Sequence, residues 1–171
     1  MKCMANTKTF NKARKKSNDR NVRLVVRYLT AATAEIMLEK FHWSQERLLE
    51  FLTMVWHNFN MTNTPLAEVE SFDPADNFGY KVKIKNGLVR SNVSPFVQAL
   101  DSYAEKGAEW FIDVLVYTLK DHFNWADSTT DRFVRYIDGY LPKLRTGSVD
   151  VDVIIEKLKI EHGLDLRMHI V

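Results

Sequence analysis

The sequence predicts a mainly α fold with a minor β part (α+β): a bundle of about five helices with two helix–corner–helix units and a small antiparallel sheet. Three observations predict it. Apolar residues recur at steps of three and four through most of the chain, the period of a helix with one buried face. The stretch Leu38–Val55, LEKFHWSQERLLEFLTMV, has an echo 82 residues later at Lys120–Ile137, KDHFNWADSTTDRFVRYI. That shift lays Phe41-His42-Trp43 on Phe123-Asn124-Trp125, Phe51 on Phe133 and Val55 on Ile137. Finally, strict apolar–polar alternation appears in two places, around residues 80–91 and 164–170, and alternation is the pattern of a strand.

Taken in order, residues 1–20 show no periodicity and form a flexible basic arm, and residues 21–171 form a single helical domain. Val22, Val25, Leu29, Ala32 and Ile36 mark a first helix ending near Lys40. Ser44 is suited to cap a second helix, because its hydroxyl can accept from an amide that has no partner within the helix. Leu48, Leu52, Val55 and Phe59 make the apolar stripe of that helix. Residues 61–79, with Pro65, Pro74 and Gly79, read as a connector with one short turn near Leu66–Glu70.

In GYKVKIKNGLVRSN, Val82 and Ile84 alternate with Lys81, Lys83 and Lys85 before Asn86-Gly87. That dipeptide tolerates the positive φ of a type I′ turn, so we expect a hairpin over 80–91 with a lysine face. Ser94-Pro95 opens a long helix reaching about Phe123, with Gly107 as a place for a break or a close approach. After the second corner, Ser128 and Asp131 have capping-box spacing, and Pro142 is expected to stop the helix that carries Phe133, Ile137 and Leu141. A short helix capped by Asp152 and ended by Gly163 follows. Leu164, Leu166, Met168 and Ile170 then read as a strand that pairs with the hairpin.

Composition bounds the function. With 46% apolar and 27% charged residues the chain is an ordinary globular one, and no stretch has the length and apolarity of a membrane span or a signal peptide. The single cysteine, Cys3, excludes an internal disulfide, so a cytoplasmic setting is expected. The net charge of +2 conceals a division: residues 1–27 hold nine Lys and Arg against one acid, and the remainder holds 15 basic and 21 acidic residues. A cationic arm on an acidic body suits contact with a polyanion or an acidic partner, whereas the plainer role of such an arm is solubility.

Catalytic signatures are missing. The chain has no H-E-x-x-H, no phosphate-binding glycine loop, no G-x-S-x-G and no C-x-x-C. His42 beside Glu39 and His122 beside Asp121 are residue types that hold metals, but corner histidines more often bond a helix end, and we expect no metal and no cofactor. Phe41, Trp43, Phe123 and Trp125 could stack on bases, but their place beside leucine stripes makes them core residues. The candidate binding residues are the cations Lys8, Lys12, Arg14, Lys15, Lys16, Arg20, Arg23, Lys81, Lys83, Lys85 and Arg90, which would hold phosphates without reading sequence. An alternative is a helix–turn–helix regulator over 31–57 with 80–91 as its wing. Against it, the second helix begins with Gln45, Glu46, Arg47 and Glu50, and its acids repel phosphate.

The corner LEKFHWSQERLLEF and the ending RYIDGYLPKLRTGSVDVDVIIEKLKIEHGLDL resemble small helical proteins of phages and prophages of Gram-positive bacteria, over residues 29–56 and 133–166. His42 and Asn124 stand where those proteins place glycine. Their functions are mostly unassigned, so the resemblance implies a genomic setting. Together with the charge division it leads us to expect a non-catalytic binding protein. Such a protein inhibits or modulates a host nucleic-acid-handling machine, for example an immunity nuclease in the manner of an anti-CRISPR protein. The expected partners are a host protein or nucleoprotein complex and non-specific nucleic acid, with no membrane. The corner repeats can fold on each other within one chain or pair across the two-fold axis of a homodimer.

Overall fold

The computed structural model describes residues 23–61, 95–146 and 150–168. Five helices run through them: α1 (residues 23–40), α2 (Gln45–Met61), α3 (Pro95–Asp121), α4 (Asp127–Thr146) and α5 (Val151–His162), followed by a 3-10 turn, Leu166–Met168. The arm at 1–20, the connector from 62 onward with its turn near 66–70, and the hairpin at 80–91 lie outside the described residues.

Both corners are built alike. His42 and Asn124 take positive φ, 53° and 52°, the left-handed region where a Cβ crowds the following carbonyl. That turn brings the Trp43 amide back to the Met37 carbonyl and the Trp125 amide to the Leu119 carbonyl, each at 3.0 Å and six residues away. The next helices begin at Gln45 and Asp127, again 82 residues apart. Both positions thus hold a non-glycine residue in the backbone region that glycine enters most readily. Gly163, at φ 66°, ends α5 in the same way, with the Leu164 amide on the Leu158 carbonyl.

The two units meet at these corners. Phe41 packs on Trp125 (centroids 4.8 Å apart) and Trp43 on Phe123 (5.2 Å), while Trp43 and Trp125 cross edge to face at 5.6 Å. Exchanging one unit for the other swaps the first two contacts and maps the third onto itself, which is the signature of an internal pseudo-two-fold axis. The helices pair crosswise in keeping with it. Tyr28 of α1 meets Tyr140 of α4, and Phe59 of α2 stacks on Trp110 of α3 at 4.4 Å. Asn58 of α2 donates to Thr118 of α3 at 2.9 Å. The four corner aromatics are thus structural, with Trp43 buried and the others packed against the core.

α1 and α3 lie deepest. Over 25–38 and 107–119 almost every residue is buried, polar Thr30, Thr33 and Thr118 included, so the burial goes beyond the one-sided stripe that periodicity suggests. Gly107 is buried within an unbroken α3. Ser44 caps α2 as expected, its hydroxyl accepting from the Arg47 amide at 3.2 Å.

Other expectations are corrected. No strand occurs among the described residues, and the segment read as a strand at 164–170 instead contains the 3-10 turn. Leu164 and Leu166 are both buried, so their spacing marks two core anchors on an irregular tail; the Arg167 amide bends back to the Asp165 carboxylate. Pro142 lies inside α4, which continues to Thr146: a proline forfeits one backbone bond without having to end a helix. Ser128 does not cap α4, because the helix already starts at Asp127 and the Ala126 carbonyl takes the Thr129 and Thr130 amides. Asp150, not Asp152, caps α5, by accepting from the Asp152 amide.

Candidate functional site at the junction of the first and last helices

α5 lies along α1 and runs parallel to it. At the start of both helices Arg27 pairs with Asp152 at 2.7 Å. Further along both helices, Lys157 reaches Glu35 and Glu39 of α1, both at 2.6 Å. At the end of α5 the His162 carbonyl accepts a hydrogen bond from Gln45, the first residue of α2. Ile154, Ile155 and Leu158 are the residues that α5 buries in the core, and the charged contacts with α1 lie at more exposed positions.

Glu35 is the most enclosed acid of this junction. Lys157 holds one of its oxygens, and the Tyr140 hydroxyl donates to the other. Burial alone would raise the Glu35 pKa; the hydrogen bonds from Lys157 and Tyr140, with the positive charges of Lys157 and Lys143, outweigh it and lower the value. The same contacts hold Lys157 in its charged form by raising its pKa. Tyr140 is raised too, by burial first and then by its bond to Glu35, and Tyr28 is pushed up to about 12 by burial and the nearby Glu35 charge. At neutral pH this is a carboxylate–ammonium–phenol network that joins α1, α4 and α5.

Glu39 belongs to a second group as well. A ligand atom of Glu39, one of Glu161 and a ring nitrogen of His162 all lie within 4.8 Å of one another. The His162 ring carries a solvent-excluded nitrogen, Nε2, with no hydrogen-bond partner among the described residues. This triad is the only grouping of three metal-ligating residues found among the described residues. It differs from the corner pairing that the sequence invites. His42 is exposed, and His122 lies 3.7 Å from its neighbour Asp121. Glu39 could be singled out from its position; the histidine that joins it comes from the other end of the chain, and no local spacing points to it.

Of the sequence-predicted binding residues, Arg23 is described: it is exposed at the start of α1, where residues 1–22 join the body. Lys8, Lys12, Arg14, Lys15, Lys16, Arg20, Lys81, Lys83, Lys85 and Arg90 lie outside the described residues. The start of α2, which a helix–turn–helix reader would present to DNA, is partly committed elsewhere. Gln45 is bonded to His162, and the Arg47 guanidinium lies over the Trp43 ring at 4.4 Å. No helix among the described residues is long and apolar enough to cross a membrane. Comparison with protein-family models, with curated proteins and with solved structures gave no match.

Proposed function

We propose that this chain acts by binding: a phage-type inhibitor or modulator of a host nucleic-acid-handling machine, in which the basic arm meets phosphates and the acidic helical body meets protein. The observation that carries the reading is the charge division, nine cations against one acid in residues 1–27 and an excess of six acids in the rest. Arg23 is exposed at the head of α1. The body adds exposed acids, among them Glu46, Glu50, Asp131 and Glu156. The regulator reading is weaker, because α2 begins with two exposed acids and with Gln45 and Arg47 already engaged.

A gel shift with random-sequence and genomic DNA, at two salt concentrations, tests this. Binding should be indifferent to sequence and should weaken steeply with salt, by a log–log slope of about 0.9 per phosphate contacted. It should disappear when residues 1–20 are deleted. Retention of one preferred site at moderate salt by the arm-deleted protein would overturn the proposal in favour of a regulator.

A further inference from the structure

We propose that Glu39, Glu161 and His162 form a binding site for a divalent first-row transition ion of the Zn²⁺ type, which fastens the end of α5 to the first corner. Three independent observations converge on it. The donor set comes first: one imidazole and two carboxylates suit Zn²⁺ and its neighbours, whereas Mg²⁺ and Ca²⁺ prefer oxygen alone. Next is the His162 ring, whose Nε2 is shut off from water and has no hydrogen-bond partner among the described residues, so no hydrogen bond at that nitrogen has to be broken when the ring takes an ion.

The third is charge. Glu35, Glu39 and Glu161 bring three carboxylates together, and the Lys157 ammonium, bonded to two of them, offsets one. Because α1 and α5 run parallel, both present their carbonyl ends here, and the partial negative charge of each helix end adds to the attraction for a cation.

The geometry is compatible with loading. Tetrahedral Zn²⁺ with bonds of about 2.0–2.1 Å sets its ligand atoms roughly 3.4 Å apart. The present spread is at most 4.8 Å, and Glu161, which is exposed, has room to turn toward the other two ligands. Lys157 holds Oε1 of Glu39, which leaves Oε2 for the ion and fixes the carboxylate in place. Gln45 secures the backbone of His162 from the other side. Three protein ligands leave at least one coordination position for water or for a group supplied by a partner.

The test is a Zn²⁺ titration of tag-free, chelator-treated full-length protein by calorimetry, with Co²⁺ absorption reporting coordination and Mg²⁺ and Ca²⁺ as controls. One ion per chain should bind with micromolar or tighter affinity, and the thermal midpoint should rise with Zn²⁺. Affinity should fall at least about tenfold in His162→Ala and in Glu161→Gln, since loss of even an outer-shell group costs that much. Glu156→Gln, on the same helix, should bind as the parent does. Circular dichroism identifies a variant that has lost its fold; Glu161→Gln, at an exposed position, then decides the matter alone. Failure of the parent to bind Zn²⁺ at micromolar concentration, or equal binding by Glu161→Gln, overturns the site.

Discussion

The two helix–corner–helix units share a backbone and differ in what covers them. At matched positions the first unit carries Glu35 and Glu39, and the second carries Tyr117 and Asp121. In the second unit Tyr117 donates to Asp121 at 3.4 Å, and Asp121, which also faces His122, is exposed. In the first unit the matched pair is crossed by Lys157 of α5, and Glu35 is buried. One docked helix has turned a surface position into the centre of a charged network. The corner motif provides the architecture twice, and α5 provides the chemistry once.

The largest expected effect probes what the units share. Trp43→Ala removes a buried indole that touches Phe51, Phe123, Trp125 and the Arg47 guanidinium, and should cost about 3–5 kcal/mol in urea unfolding. Its counterpart Trp125→Ala, at a half-buried position, should cost less, about 2 kcal/mol. Equal losses would mean that the axis is energetically symmetric and that α5 does not bias the core.

The middle effect probes what they do not share. Lys157→Met leaves Glu35 and Glu39 facing each other without the ammonium that bridges them. Loss of one partner of a fully buried pair costs about 3–5 kcal/mol, but the Lys157 side chain is 37% exposed, which reduces the expectation to about 1–2 kcal/mol. Asp121→Asn, at the matched position of the second unit, should stay within about 0.5 kcal/mol of the parent. Acid titration sharpens the contrast. Since folding lowers the Glu35 pKa, its contribution is complete above the ordinary carboxylate value of 4.5 and is lost as pH falls through the lower folded value. Glu35→Gln should flatten the acid limb of the stability–pH curve, and an unchanged limb would remove Glu35 from the network.

The smallest effect lies at the corners themselves. His42→Gly relieves a bulky side chain of a left-handed backbone, offset by the extra freedom that glycine gives the unfolded chain, for a net gain of about 0.5 kcal/mol. Asn tolerates that conformation better, so Asn124→Gly should be close to neutral. A larger gain at Asn124, read from thermal midpoints, would reverse the ranking.

Much of the scaffold can be read from residues alone. The aromatic corners, the Ser44 cap, the glycine end of α5 and the 82-residue echo depend on neighbours within one turn, and local pattern reports local structure. The charged junction depends on residues 118 to 122 positions apart, and nothing near Lys157 announces that it will meet Glu35 and Glu39. The misread strand has a physical cause too: two buried leucines at spacing two fit a pleated strand and an anchored tail equally well. Asp150 and Asp152 present the same side chain two residues apart, and only the start of the helix distinguishes the cap from a residue of its first turn. The predicted phosphate contacts rest on composition, which marks a charged region without fixing where each cation stands.

The parallel course of α1 and α5 has a mechanical consequence. A tether pulling on the arm at the head of α1 and another on the tail of α5 load the two helices in opposite directions along a shared seam. Arg27–Asp152, the Lys157 bridges, the Leu158 packing and the Gln45–His162 bond then resist together, in shear, where an antiparallel neighbour would peel open one contact at a time. A protein held by its arm to one body and by its tail to another is closed with a rivet line instead of a zipper.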